Sequence, residues 1–328
     1  MTLALHVLRA GPACTVQDGG RRGYLRYGVT PAGPMDWIQH QSANLLAGNA
    51  PDAAAIEIGL GGIAVTAEGG PLRIGLSSAG FRVRRNGSDL PTRIALTLHP
   101  GARLEIEPGP SHLWAYLALA GGFAERAVMG SFATHLRSGI GPFGGQALRD
   151  GQRLPASLAA QNEDEFGLFE QPAIRAERCI RFVPGPQDDY FDAEAHRIFA
   201  AGPYRVSQRS DRMAYRLSGP ALAHARGHDI VSDGIALGAI QVPGDGLPLV
   251  LMADRQPTGG YPKIGTVIRA DLPPLAQLRP GQTLRFAPVT VADAVDALRA
   301  AIPDSAALRA RCRTLRYVRG LGPAGQAV

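Results

Sequence analysis

Between residues 56 and 155 the apolar side chains fall into short alternating runs, at 56–58, 63–66, 72–76, 81–84, 94–98, 104–106 and 113–119. Alternation with period two, broken every few residues by turn formers, is the pattern of half-buried strands and leaves no room for long helices. Pro108-Gly109-Pro110-Ser111 is the clearest of these turns. The chain of 328 residues carries 41 glycines and 26 prolines. Together they make about a fifth of the sequence, against a usual share of roughly 12%. They are spread out rather than clustered, which suits many short elements joined by tight turns. The expected fold class is therefore mainly β, with the strand spacing of a barrel or sandwich.

The flanks follow the same logic. Leu3, Leu5 and Val7 alternate as a strand. A glycine-rich loop follows, and Pro31 to Asp36 lead into a predicted helix over 37–47 closed by Gly48. Residues 156–173, polar and acidic around Asn162-Glu163-Asp164-Glu165, read as a linker. A second strand-rich region starts at Cys179 and runs to about Val289, with one short helix near 192–200. The tail carries two amphipathic helical patterns. The first opens at Thr290 with Asp293 three residues on, and places Val291, Val295, Leu298 and Ile302 on one face. The expected domains are 1–170, 171–290 and a helical tail over 291–328, whose last residues fray.

Composition narrows the function classes. Apolar residues are 45% and charged residues 19% of the chain, so it is globular rather than disordered. The net charge of +6 comes from scattered arginines with no basic run, which argues against nucleic acid. A small anion or an acidic partner stays open. Cys14, Cys179 and Cys312 are sparse and far apart, as reduced thiols in a cytoplasmic protein are. His6 and Arg9 interrupt the N-terminal apolar residues, so a signal peptide is not expected, and no apolar run has membrane-spanning length. The phosphate-binding, dinucleotide and nucleophile-elbow motifs are missing. His224 and His228 lack the context of a zinc site, so no metal is expected.

One lysine, Lys263, stands among 33 arginines. A position that keeps an ammonium against so strong an arginine bias suits a need for a compact point charge. It lies in Asp254-Arg255-Gln256-Pro257-Thr258-Gly259-Gly260-Tyr261-Pro262-Lys263-Ile264, directly after the apolar run 247–253. Thr258, Gly259 and Gly260 could form a nest of backbone N–H groups, with Lys263 as cation and Asp254 as carboxylate. Gln256 and Tyr261 lie in the same stretch. A glycine-rich hairpin tied by an Asp–Lys pair is the plainer alternative. Arg212, after Asp211, could clamp a carboxylate or phosphate, or form a surface ion pair. Gln17, Asp18 and Arg21 make a compact polar set in the first glycine-rich loop, unless Asp18 simply bonds its own turn. Asp36, His40 and Asn44 form a polar stripe on the predicted helix, where Asp36 reads more simply as a cap.

In order along the chain, several segments resemble the C-type subunits of 5-oxoprolinase, a family also called KipA, allophanate hydrolase subunit 2 or biotin-dependent carboxyltransferase. The resemblance rests on Ser210-Asp211-Arg212-Met213, on Gly238-Ala239-Ile240-Gln241-Val242-Pro243 and on 254–264. Thr15-Val16-Gln17-Asp18, Gly33-Pro34-Met35-Asp36, 43–49 and 116–122 support it. Pro257, Ala214 and Gly19 depart from the family pattern, and Pro257 removes one N–H from the expected nest. The resemblance implies two cyclophilin-like β-barrel domains. It implies a component that works with a KipI-like B-type subunit and a separate A-type subunit in ATP-dependent opening of 5-oxo-L-proline to L-glutamate. No covalently bound cofactor is implied. Lys263, Arg212, Asp254 and Thr258 would then be catalytic, with Gly259, Gly260, Tyr261, Gln256, Asp211, Gln241, Gln17, Asp18, Arg21, Asp36 and Asn44 as substrate contacts. Two other roles are compatible with it: a carboxyltransferase acting on a urea-like amide with carboxybiotin, and a non-enzymatic regulator of the KipI-like partner.

Overall fold

A computed structural model describes residues 2–161, 164–168 and 177–314. The chain forms two compact units. The first takes residues 1–20 and 37–173 together with the C-terminal residues from Pro303, and the second takes 21–36 and 174–302. The stretch 21–36, inside the first expected domain, thus groups with the second unit. The expected boundary at 170/171 lies outside the described residues.

In the first unit two antiparallel sheets share one apolar core. One sheet runs in the order Arg153–Pro155, Ala4–Ala10, Ile63–Glu68, Leu104–Pro108, Phe81–Arg85 and Ser88–Asp89. The other runs Thr15–Gln17, Ala55–Ile58, Ala115–Leu119, Leu72–Ser77, Arg93–Leu98, Phe166–Leu168 and Arg313–Thr314. The alternating apolar positions of both face inward, and Leu5, Val65, Ile74, Leu96 and Leu117 are sealed from solvent. Helix α1, Trp37–Ala47, lies on the second sheet and ends at Gly48, whose φ of 82° gives the left-handed cap. Beneath it, Gly75 is a close-approach position, because a Cβ there would overlap the Ala43 carbonyl and the Ala47 nitrogen.

The segment read as a linker is part of this unit. Phe166–Leu168 pairs with Arg93–Leu98, and Glu165 is buried against Arg85 through contacts of 2.5 and 3.0 Å. An acidic residue reads as solvated in sequence, but a bidentate guanidinium partner makes its burial tolerable. Asn162 and Glu163 lie outside the described residues.

The second unit is a closed seven-stranded barrel. Its order is Glu177–Pro184, Lys263–Val267, Ala239–Gln241, Leu249–Leu251, Ala214–Ser218, Tyr204–Val206 and Thr283–Pro288, which pairs in parallel with the first. The fold is thus mainly β and includes a closed barrel, as expected. The apolar run 247–253 yields only a three-residue strand, Leu249–Leu251. Helix α2, Ala193–Ala201, is capped by Asp192 and packs its Phe199 on Phe286 with ring centroids 4.5 Å apart. Helix α3 spans Leu272–Ala276. Helix α4, Val291–Ala301, opens with the expected capping box between Thr290 and Asp293, and Val291, Val295 and Ile302 on its apolar face are exposed. Helix α5, Ser305–Arg311, returns to the first unit. No helix among the described residues is long and apolar enough to cross a membrane.

Candidate functional site

The barrel strands Ala239–Gln241 and Lys263–Val267 run antiparallel with Gln241 opposite Lys263, just after a bulge at Ile240. Directly opposed residues project to the same face of a sheet. The Lys263 side chain is 4% exposed, and its ammonium donates to Oδ2 of Asp233 at 2.9 Å. That hydrogen bond, followed by one from the Gly234 N–H, holds the Asp233 carboxyl below the usual carboxylate range. Gln187 ties the same corner, its Oε1 accepting from the Lys263 backbone N–H at 3.3 Å. Asp233 is the one protein acceptor that the ammonium meets among the described residues. An ammonium has three donors, so the others are free for a ligand.

Gln241 supplies the complementary group. It is 1% exposed, and its Nε2 donates to the Tyr261 carbonyl at 3.4 Å. A carbonyl can only accept, so the amide orientation is fixed and Oε1 is left as a buried acceptor with no protein partner. Gly259 faces this carboxamide closely. A Cβ there would stand 2.9 Å from Gln241 Nε2 and 2.7 Å from Ile235 Cδ1. Gln256, in the same segment, also has an Oε1 without a protein partner.

Arg212 and Asp254 form a separate pair. Arg212 donates through Nε and Nη2 to the two Asp254 oxygens at 2.9 and 2.8 Å, and through Nη2 to the Gly33 carbonyl at 2.8 Å. Ala214 lies opposite Leu251, and the ladder continues through Met252 N to Met213 O and Asp254 N to Arg212 O. This holds the two side chains in a fork. Asp211 caps the turn by accepting from the Met213 and Ala214 N–H groups.

The expected grouping of Asp254 with Lys263 is therefore corrected. Gln241 is opposite Leu249, whereas Gly238 bonds to Leu251 at the other end of the same strands. About 10 Å of strand separates the row of Leu249 from that of Met252, at roughly 3.3 Å per residue. The backbones of Lys263 and of the Arg212–Asp254 pair thus belong to opposite ends of the barrel strands. The nest is corrected too. Thr258–Gly259 pairs antiparallel with Asp233–Gly234, and neither Gly259 nor Gly260 takes a positive φ. Ladder pairing extends the backbone, where a nest needs alternating handedness. Thr258 is exposed and Tyr261 is 41% exposed.

The remaining candidates hold loops. In the first unit Gln17 donates to Thr15 Oγ1 and the Thr134 carbonyl, both at 2.9 Å. Asp18 accepts from the N–H groups of Gly20 and Phe132 and from the Ser131 hydroxyl. Asn44 donates to the Ala53 carbonyl at 2.8 Å and accepts from Asn49. His40, on α1, donates from Nε2 to the Gln17 carbonyl at 3.2 Å, while its buried Nδ1 has no partner. Burial holds the His40 pKa below its ordinary value. In the second unit Arg21 is 1% exposed and its backbone N–H donates to Pro31, and Asp36 accepts from Gln277 Nε2 at 2.8 Å. Sequence reasoning missed Asp233 and Gln187. Ser232-Asp233-Gly234 offered only an acidic residue before a glycine, and Gln187 offered no signal.

The chain has relatives among known proteins. Residues 27–288 match the family described as carboxyltransferase domain, subdomain A and B. The chain is 38% identical to the C-type subunit of 5-oxoprolinase from Escherichia coli, over 89% of its length and 94% of the relative's. It is 28% identical to urea amidolyase of Saccharomyces cerevisiae, covering 88% of this chain but 17% of that protein. The crystal structure of Kluyveromyces lactis urea carboxylase superposes with a TM-score of 0.81 at 28% identity, over 91% of this chain and 28% of that one.

Proposed function

This chain belongs to the carboxyltransferase domain family of subdomains A and B, and from that premise we propose that it is the amide-binding, C-type subunit of an ATP-dependent 5-oxoprolinase. It would work in the cytoplasm beside a KipI-like B-type subunit and a separate A-type subunit, opening 5-oxo-L-proline to L-glutamate. The observation that carries this reading is the pairing of Lys263 with Gln241. One offers free ammonium donors and the other an unmatched carboxamide oxygen, on one face of the barrel wall. A lactam presents the mirror of that set, a carbonyl oxygen that accepts and an N–H that donates. Its oxygen would take a hydrogen bond from Lys263 and its N–H would donate to Gln241 Oε1. Charge developing on the oxygen during activation would then face a fixed cation in a site with little water, where one such donor contributes about 3–4 kcal/mol. Identity of 38% over 94% of a 5-oxoprolinase subunit supports this reading.

The likeness to urea carboxylase favours a second reading, transfer of a carboxyl group to a urea-like amide. Urea presents the same carbonyl and N–H, and the biotin would have to arrive on another chain. A regulator of a KipI-like partner would need neither Lys263 nor Gln241. Reconstitution with candidate A-type and B-type partners separates these readings. Glutamate released from 5-oxoproline only when ATP and this chain are present is the expected result. Carboxylation of urea in a biotin-carrying mixture, with no glutamate, would replace the first reading by the second. Turnover in neither mixture, with partner binding intact, would leave the regulator.

A further inference from the structure

We propose that the first unit carries a separate binding site for a carboxylate with an apolar chain, in the groove lined by α1, Leu158, Ala159, Gln161, Phe166 and α5. The groove is a cavity of about 550 Å³, within the range of small-molecule sites. Leu45, Leu46, Leu158 and Leu308 line its walls, and Phe166 stands beside two arginines. The Arg309 guanidinium carbon lies 3.3 Å from the Phe166 ring centroid, and that of Arg73 lies 5.6 Å from the same centroid.

The carboxylates of Glu165 and Asp164 act on Arg73 without pairing with it. Arg73 is 9% exposed and, among the described residues, donates to the Asp164 carbonyl and, at 3.5 Å, to the Thr97 hydroxyl. Arg309 sits on the exposed side of α5 and stacks on the ring. Neither forms an ion pair with a carboxylate among the described residues. Glu165 is committed to Arg85, and the Asp164 side chain is exposed. Burial makes Arg73 hold its proton less firmly than an ordinary arginine does; the carboxylates of Glu165 and Asp164 oppose this and the charge of Arg309 adds to it. Two guanidiniums on one ring, neither ion-paired among the described residues, are completed by a planar anion that accepts from both. The leucine walls add a demand that an inorganic anion does not meet, because apolar surface gains from covering by apolar surface. Together they specify a carboxylate head against Arg73 and Arg309, with a hydrocarbon body along the leucines. This site shares no residue with the Lys263–Gln241 site and does not rest on the proposed function.

Calorimetric titration of the full chain with octanoate, 1-octanol and acetate tests it. Saturable binding of octanoate at one site per chain is expected, with octanol and acetate each weaker by at least about tenfold. Arg309→Met, on an exposed helix face, should weaken octanoate by about tenfold or more while leaving octanol unchanged. Leu158→Asp, which places a carboxylate in the wall, should weaken octanoate to a similar degree and provides a second variant if Arg309→Met fails to fold. Absence of saturable octanoate binding overturns the proposal. Octanol binding as tightly as octanoate overturns the anion part, and acetate binding as tightly overturns the apolar part. Unchanged octanoate affinity in both folded variants would place any binding elsewhere.

Discussion

Lys263 reaches across 30 residues of sequence to Asp233, with a side chain 4% exposed against 53% for its partner. The carboxylate keeps its water and the ammonium has lost most of its own, so Asp233 anchors the lysine. In the proposed 5-oxoprolinase, Lys263→Arg keeps the charge but not the shape, and should abolish turnover of the reconstituted complex without unfolding the chain. Asp233→Asn should lower turnover by about tenfold or more with substrate held constant. Because Lys263 holds the Asp233 carboxyl below its ordinary value of 3.8, the pair is complete above that pH and is lost as pH falls through the lower folded value. Wild-type rates in Lys263→Arg would remove the ammonium from the mechanism.

The Arg212–Asp254 fork predicts a stability defect. Both side chains are nearly buried, at 10% and 11% exposure. Asp254→Ala removes the carboxylate that takes two hydrogen bonds from the Arg212 guanidinium, at a cost of about 3–5 kcal/mol. Replacing both residues, Arg212→Met with Asp254→Leu, should recover part of that loss, since both members of the pair are then apolar. Urea unfolding midpoints of the single and double variants decide it. A single variant as stable as the parent would show the pair to be solvated in solution.

His40 predicts a pH dependence of a definite sign. Its ring is sealed under α1, and burial lowers its pKa from the ordinary 6.5. The unfolded chain takes up the proton first as pH falls, so stability is full above 6.5 and declines below it toward the folded value. Unfolding free energies measured between pH 5 and 8 should fall on the acid side, and His40→Leu should remove that part of the slope. An unchanged slope in the variant would assign the acid sensitivity to other groups.

What could be read from the sequence was local. Alternation placed the strand Leu72–Ser77, and Asp36 and Gly48 bracketed α1. Thr290 with Asp293 gave the capping box, because its bonds span three residues. Lys263, Arg212, Asp254 and Gln241 stood out by composition and motif, but their partners did not. Which carboxylate meets which cation depends on barrel closure and strand register, and these bring Asp233 to Lys263 and Asp254 to Arg212. The same applies to Glu165, whose acidic surroundings in sequence say nothing of Arg85. Residues 21–36 leave the first unit for the second, a choice set by tertiary contacts alone.

The seat of α1 gives a test of the first unit. A methyl group at Gly75 would overlap the Ala43 carbonyl and the Ala47 nitrogen, both backbone atoms that cannot turn aside. Gly75→Ala should therefore lift the helix off the sheet and cost about 1–3 kcal/mol or more, the penalty of overpacking. Gly234→Ala is the matched control, since a Cβ there meets nothing within 4 Å and its φ is not positive. It should stay within about 0.5 kcal/mol of the parent. Urea unfolding of the two variants reads the difference directly. Equal stabilities would mean that the helix does not rest on Gly75.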